Sequence, residues 1–128
     1  MERETAEKAA TWWAARVKRP QFSALSQGER RAGNDRAMEW AELMAHLLVE
    51  EVSDQQIQTF KQALAESLLP KTGWFSIGVD YGPDEILSDA AQKAGISGHN
   101  FPWKTHMTIE ADGEINAACG YGSPWETL

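Results

Sequence analysis

A chain of 128 residues has room for one hydrophobic core and buries about two thirds of its unfolded surface, enough to fold without cross-links. Its lone cysteine, Cys119, excludes an internal disulfide and a multi-cysteine zinc site, and no run nears the ~20 apolar residues of a membrane helix. The net charge of −7 is uneven: residues 1–36 hold eight Lys/Arg against five Asp/Glu, residues 37–128 four against fourteen, which argues against a basic nucleic-acid surface.

The charged opening, MERETAEKAA, lacks an apolar signal core, so cytoplasmic residence is expected. Residues 4–18, rich in Ala, Glu and Lys, predict a helix with Trp13 and Val17 toward the core. Thr5 and Lys8 make no capping box, which leaves its start open, and Pro20 ends it because the residue before a proline avoids the α region. Residues 19–34, with Pro20, Gly28 and Gly33, read as a long loop pinned to the body by Phe22 and Leu25.

Asn34 or Asp35 caps a second helix reaching Glu51, whose wide apolar face (Met38, Ala41, Leu43, Met44, Leu47, Leu48) suits a central helix contacted from more than one side. Ser53 and Gln56 form an S-x-x-Q capping box for a third. Its stripe is Ile57, Phe60, Leu64 and Leu68, and Pro70 and Gly73 stop it.

Beyond Gly73 the period changes from helical to strand-like. Phe75, Ile77 and Val79 alternate with Trp74, Ser76 and Gly78, which marks a strand with one dry face. Residues 81–95 predict a short helix with Pro83 in its first turn, Asp84 and Glu85 complementing its dipole and Gly95 closing it. Residues 103–122 predict a hairpin about Asp112-Gly113. The class is therefore α+β, a single domain over 1–128. Three N-terminal helices (1–70) and a strand–helix–hairpin part (74–122) pack on a sheet of about three strands, and a tail follows at 123–128.

The hairpin register decides what Cys119 can do. A two-residue turn would put His106 opposite Cys119, a conceivable thiol–imidazole dyad, but would mix polar and apolar residues on each face. A three-residue loop, Ala111–Gly113 with Gly113 left-handed, pairs Met107 with Ala117, Ile109 with Ile115 and Thr105 with Cys119 on one dry face, and turns His106 to the other. The second is preferred, and Cys119 becomes a packing residue.

No histidine spacing suggests a metal site, and no cofactor is expected. Asp80, Asp84, Glu85 and Asp89 surround a turn and a helix start, where capping accounts for them more simply than acid–base work or magnesium binding. Gly120 and Gly122 suit a turn out of the sheet and cradle no phosphate. Of six tryptophans, Trp13, Trp40 and Trp74 are assigned to core area or helix–sheet packing. Trp12, Trp103 and Trp125 are harder to bury together, so Trp103 and Trp125 either anchor an interface or, for the tail, fold back so that Trp125 covers the sheet.

Three stretches, VDYGPDEILSDAAQKAGI, FPWKTHMTIEADGEINAACGYG and AATWWAARV, resemble a group of small proteins encoded by phages, prophages and mobile elements. No catalytic residues carry over from that group. The resemblance implies a small accessory protein in a bacterial host cell, of the kind that inhibits host defence, including anti-CRISPR proteins. The expected activity is non-enzymatic: blocking a host nucleic-acid-handling complex by binding a protein with a basic surface, without direct nucleic-acid or membrane contact. The contact residues expected are Trp103, Trp125, Tyr81, Asp80, Asp84 and Glu85. The alternatives are a small enzyme or ligand-binding domain using Cys119 or the Asp80/Asp84 region, and a homo-oligomer joined through Trp12 and the long loop.

Overall fold

A computed structural model describes residues 1–20, 35–120 and 122–128. The expected loop with Phe22 and Leu25, the Asn34 cap and the Met38 side chain lie outside the described residues.

The first helix, α1 (Arg3–Lys18), buries Ala6, Ala9, Ala10, Trp13, Ala14 and Val17, a stripe at i, i+3, i+4, i+7, i+8 and i+11 that is mostly alanine. Small side chains let it approach α3 (Asp54–Leu68) closely. There Phe60, Leu64 and Leu68 are fully buried, as the predicted stripe requires. The Ser53–Gln56 capping box forms as expected: Ser53 Oγ accepts from Gln56 N at 3.1 Å, and Gln56 Oε1 accepts from Ser53 N at 2.9 Å. Gln56 Nε2 also donates to the carbonyl of Gly95, joining the start of α3 to the end of the next helix.

The helix between them, α2 (Asp35–Leu47), corrects an expectation. Instead of being contacted from several sides, among its described side chains it buries Ala45 and leaves Trp40, Leu43, Met44 and Leu47 exposed, as is Leu48 just beyond it. Periodicity shows that a face is apolar, and says nothing of what touches it.

Strand β1 (Phe75–Val79) pairs antiparallel with β2 (Thr105–Ile109), which pairs antiparallel with β3 (Ile115–Ala118). Met107 faces Ala117 and Ile109 faces Ile115, the register expected for a three-residue loop. Gly113 has φ +94°, the left-handed position that loop demands. The sheet has four strands among the described residues, not about three: the tail returns as β4 (Glu126–Thr127) beside β3.

Ile77, Val79, Met107, Ile109, Ile115 and Ala117 form the dry face against the helices, in one core with Trp13, Phe60, Leu64 and Leu87. Burying each large side chain of that set contributes roughly 1.5–3 kcal/mol. The other face carries Ser76, His106, Thr108, Asn116 and Thr127, all open to solvent in whole or part. Helix α4 (Glu85–Ala94) starts two residues after Pro83, which lies outside its first turn: Asp84 is the N-cap, and Gly95 ends the helix at φ +69°. Among the described residues no helix is long and apolar enough to cross a membrane.

Candidate functional site

Where β1 ends and β2 begins, two segments more than twenty residues apart in sequence meet. Val79 pairs with Thr105, the last rung of the ladder, so Asp80–Tyr81 and Trp103–Lys104 emerge side by side. Lys104 N donates to the Asp80 carbonyl at 2.9 Å, and Lys104 Nζ forms an ion pair with the Asp80 carboxylate. The same ammonium lies 4.6 Å from the centre of the Tyr81 ring, a cation–π geometry. Tyr81 meets Trp103 edge to face at 5.4 Å. Lys104 holds φ +55°, a left-handed conformation costly for a residue with a Cβ and kept here by these contacts.

This corner opens onto α2. A groove of about 350 Å³ runs between Tyr81, Trp103 and His99 on one side and Ala41, Met44, Ala45 and Leu48 on the other. Outside the groove, Trp40 is 65% exposed and Leu47 69%. Trp40, Leu43, Met44, Leu47 and Leu48 span about 140° of the helical wheel at 100° per residue, so they form one continuous apolar face. Tyr81 (52% exposed) and the half-buried Trp103 extend it.

Three of the expected contact residues, Asp80, Tyr81 and Trp103, thus come together. Asp84 does not join them as a free acid. Its Oδ1 accepts from Leu87 N and its Oδ2 from Gly78 N at 2.8 Å, so it caps α4 and ties the cap to β1. Glu85 lies in the first turn of α4 and is not among the residues that line the groove beside Tyr81 and Trp103. Trp125 is 54% exposed just before β4, which forms the sheet edge opposite β1. The tail folds back onto the edge of the sheet, and Trp125 stays half-exposed there.

The tail is held inward by Leu128, which packs against the core, and by Glu126, whose Oε1 accepts from Trp12 Nε1 at 3.0 Å and lies 3.9 Å from Arg16. The Arg16 guanidinium stands 4.3 Å over the Trp12 ring, which Trp13 meets edge-on. Trp12 is therefore buried while Trp103 is half-buried and Trp125 exposed, in line with the expectation that the three are hard to bury together; Trp40 and Trp74, expected in the core or in helix–sheet packing, are exposed. The Arg16 four residues after Trp12 was a signal within reach of sequence reasoning; Glu126 was not.

Cys119 is half-buried against the core, with the Thr105 hydroxyl 3.6 Å from its Sγ. His106 projects from the opposite face of the sheet, where its ring lies over Gly78 so closely that a Cβ there would come within 2.7 Å of Nδ1. The two groups of the conceivable dyad are thus on different sides. Among the described residues, no three His, Cys, Asp or Glu side chains are grouped as a metal ion would need. Comparison of the chain with protein-family models, and with curated proteins, finds no match.

Proposed function

We propose that this protein acts by binding another protein, without catalysis, and that its contact surface is the outer face of α2 together with the Tyr81–Trp103 corner. The observation that carries this reading is the exposure of Trp40, Leu43, Leu47 and Leu48 on one face of a helix. A contiguous apolar patch rimmed by polar groups is the usual mark of a protein interface. Tyr81 and Trp103 are of the residue type that anchors such interfaces, and their mutual packing lowers the entropy lost on binding. The balance of −10 over residues 37–128 favours a partner with a basic surface, which it would steer into contact.

The narrower reading is inhibition of a host nucleic-acid-handling complex, such as a CRISPR–Cas effector. The protein would occupy a basic surface that otherwise meets nucleic acid. Its support is the resemblance to phage and mobile-element proteins combined with the acidic charge.

The test is affinity capture from host lysate by the tagged chain, crosslinked and read by mass spectrometry, beside the variants Leu47→Glu and Trp103→Ala. Partners crosslinked through α2 and lost in both variants are the expected result; a retained set unchanged by either variant overturns the proposed surface. For the narrower reading, phage plaques are counted on cells with active CRISPR interference. The intact chain should restore plaques and Leu47→Glu should not.

A further inference from the structure

The geometry points to a second binding site, independent of the α2 surface: the outer edge of β1 is open to take an extended, basic peptide segment as an added strand. In an antiparallel ladder, alternate residues turn their backbone groups toward the neighbouring strand and the rest turn away. Gly78 turns away from β2, since its N–H donates to Asp84 Oδ2 at 2.8 Å and its carbonyl accepts from Asp84 N at 3.1 Å. Ser76, two residues earlier, presents its N–H and C=O in the same outward direction, and it is exposed. Asp84 closes the edge at Gly78, whereas the edge is open at Ser76.

Beside this open edge lies a cleft of about 520 Å³ between the end of α3 and the start of α4, bordered by Ser67, Lys71, Phe75, Ile86, Glu85 and Asp89. A strand added here would bond through its main chain to Ser76, which supplies affinity in strand-addition complexes, and its alternate side chains would supply specificity. The peptide residue opposite Ser76 would project onto the open face of the sheet. Its two neighbours would point to the helix side, into the cleft.

Charge selects the occupant. Glu85 and Asp89 are one helical turn apart on α4, a like-charge i,i+4 pair that is mildly unfavourable in the free protein. Lys71, the cation at the cleft, lies 5.3 Å over the Phe75 ring. A Lys or Arg at a cleft-facing position relieves the repulsion, and an acidic one adds to it. The same carboxylates disfavour a second copy of this chain, because edge-to-edge pairing of two β1 strands would bring both Glu85–Asp89 pairs together.

The probe is a fluorescein-labelled decapeptide of alternating Val and Lys, titrated with the full chain and followed by anisotropy. Its comparisons are the Val–Glu analogue and a Val–Lys peptide N-methylated at alternate amides. Saturable binding of the Val–Lys peptide is expected, roughly tenfold tighter than either analogue. Ser76→Pro, tolerated on a strand edge whose N–H faces water, should weaken binding by about the same factor, and Glu85→Gln with Asp89→Asn should reduce the preference for Lys over Glu. Thermal unfolding checks that Ser76→Pro is folded, and the N-methylated peptide tests the same bonds on the unaltered chain. No saturable binding, binding indifferent to N-methylation, or a dimer that Ser76→Pro disperses would each overturn the proposal. None of these results bears on the α2 surface.

Discussion

Asn100 closes three hydrogen bonds from a fully buried side chain. Its Nδ2 donates to the carbonyls of Val17 at 3.0 Å and Glu50 at 2.8 Å, and its Oδ1 accepts from Glu50 N at 2.9 Å. One amide thus joins the end of α1, the chain after α2 and the short 3₁₀ turn Gly98–Asn100. Removing it strands buried backbone groups, so Asn100→Ala should lose about 2–4 kcal/mol in urea unfolding. Asn100→Asp replaces the donating nitrogen with an oxygen facing two carbonyls. Burial and those carbonyls would raise the new carboxyl's pKa above its unfolded value. The deficit relative to wild type should therefore be smallest below pH ~4, where both states are protonated, and grow as pH rises toward the raised folded value. Equal deficits at acid and neutral pH would refute this account. Asn100 was invisible in the sequence because its partners lie 50 and 83 residues away. Ser53–Gln56 and Gly113 were legible because each answers to residues within one turn of chain.

At the scale of elements, α1 and α3 are joined by Lys18 and Asp54, whose Nζ and Oδ1 are 2.9 Å apart. The hydrogen bond from Lys18, followed by its charge, holds the Asp54 carboxyl below the ordinary Asp value. A carboxylate with a lowered folded pKa adds stability above its unfolded pKa and loses it as pH falls through the folded one. Asp54 is fully exposed, so water and salt screen the pair. An NMR titration should find the Asp54 midpoint below those of isolated exposed aspartates, and Lys18→Met should move it back up. The hairpin offers a stronger test. Gly113 holds φ +94°, and a Cβ there would also come within 3.1 Å of Thr5 Oγ1 on α1. Gly113→Ala should cost about 1–2 kcal/mol, with Gly113→Asn costing less, as measured by urea unfolding. The helices, β1 and this hairpin were readable because period and turn chemistry are local. Strand β4 was not: two residues carry no alternation, and their place depends on Glu126 reaching Trp12 across 114 positions.

On the scale of the whole molecule, the described residues divide into a packed body and a helix that contributes little to it. Helices α1, α3 and α4 share one core with the sheet, whereas among the described side chains α2 supplies none to that core, buries Ala45 beside it and turns Trp40, Leu43, Met44 and Leu47 outward. Local opening free energy follows buried apolar contact, so amides of α2 should exchange with deuterium far sooner than those around Phe60 and Leu64. Mutational energies should divide the same way. Leu64→Ala removes a fully buried side chain and should cost 2–5 kcal/mol, while Leu47→Glu should change stability by less than about 0.5 kcal/mol. If Leu47→Glu instead destabilises the chain strongly, α2 belongs to the core and the proposed surface disappears with it. If it leaves stability intact, so much exposed apolar surface has no folding rationale, and binding of an α2 partner should then slow exchange along α2 selectively. That pairing of measurements separates a helix that holds the fold from one that the fold displays.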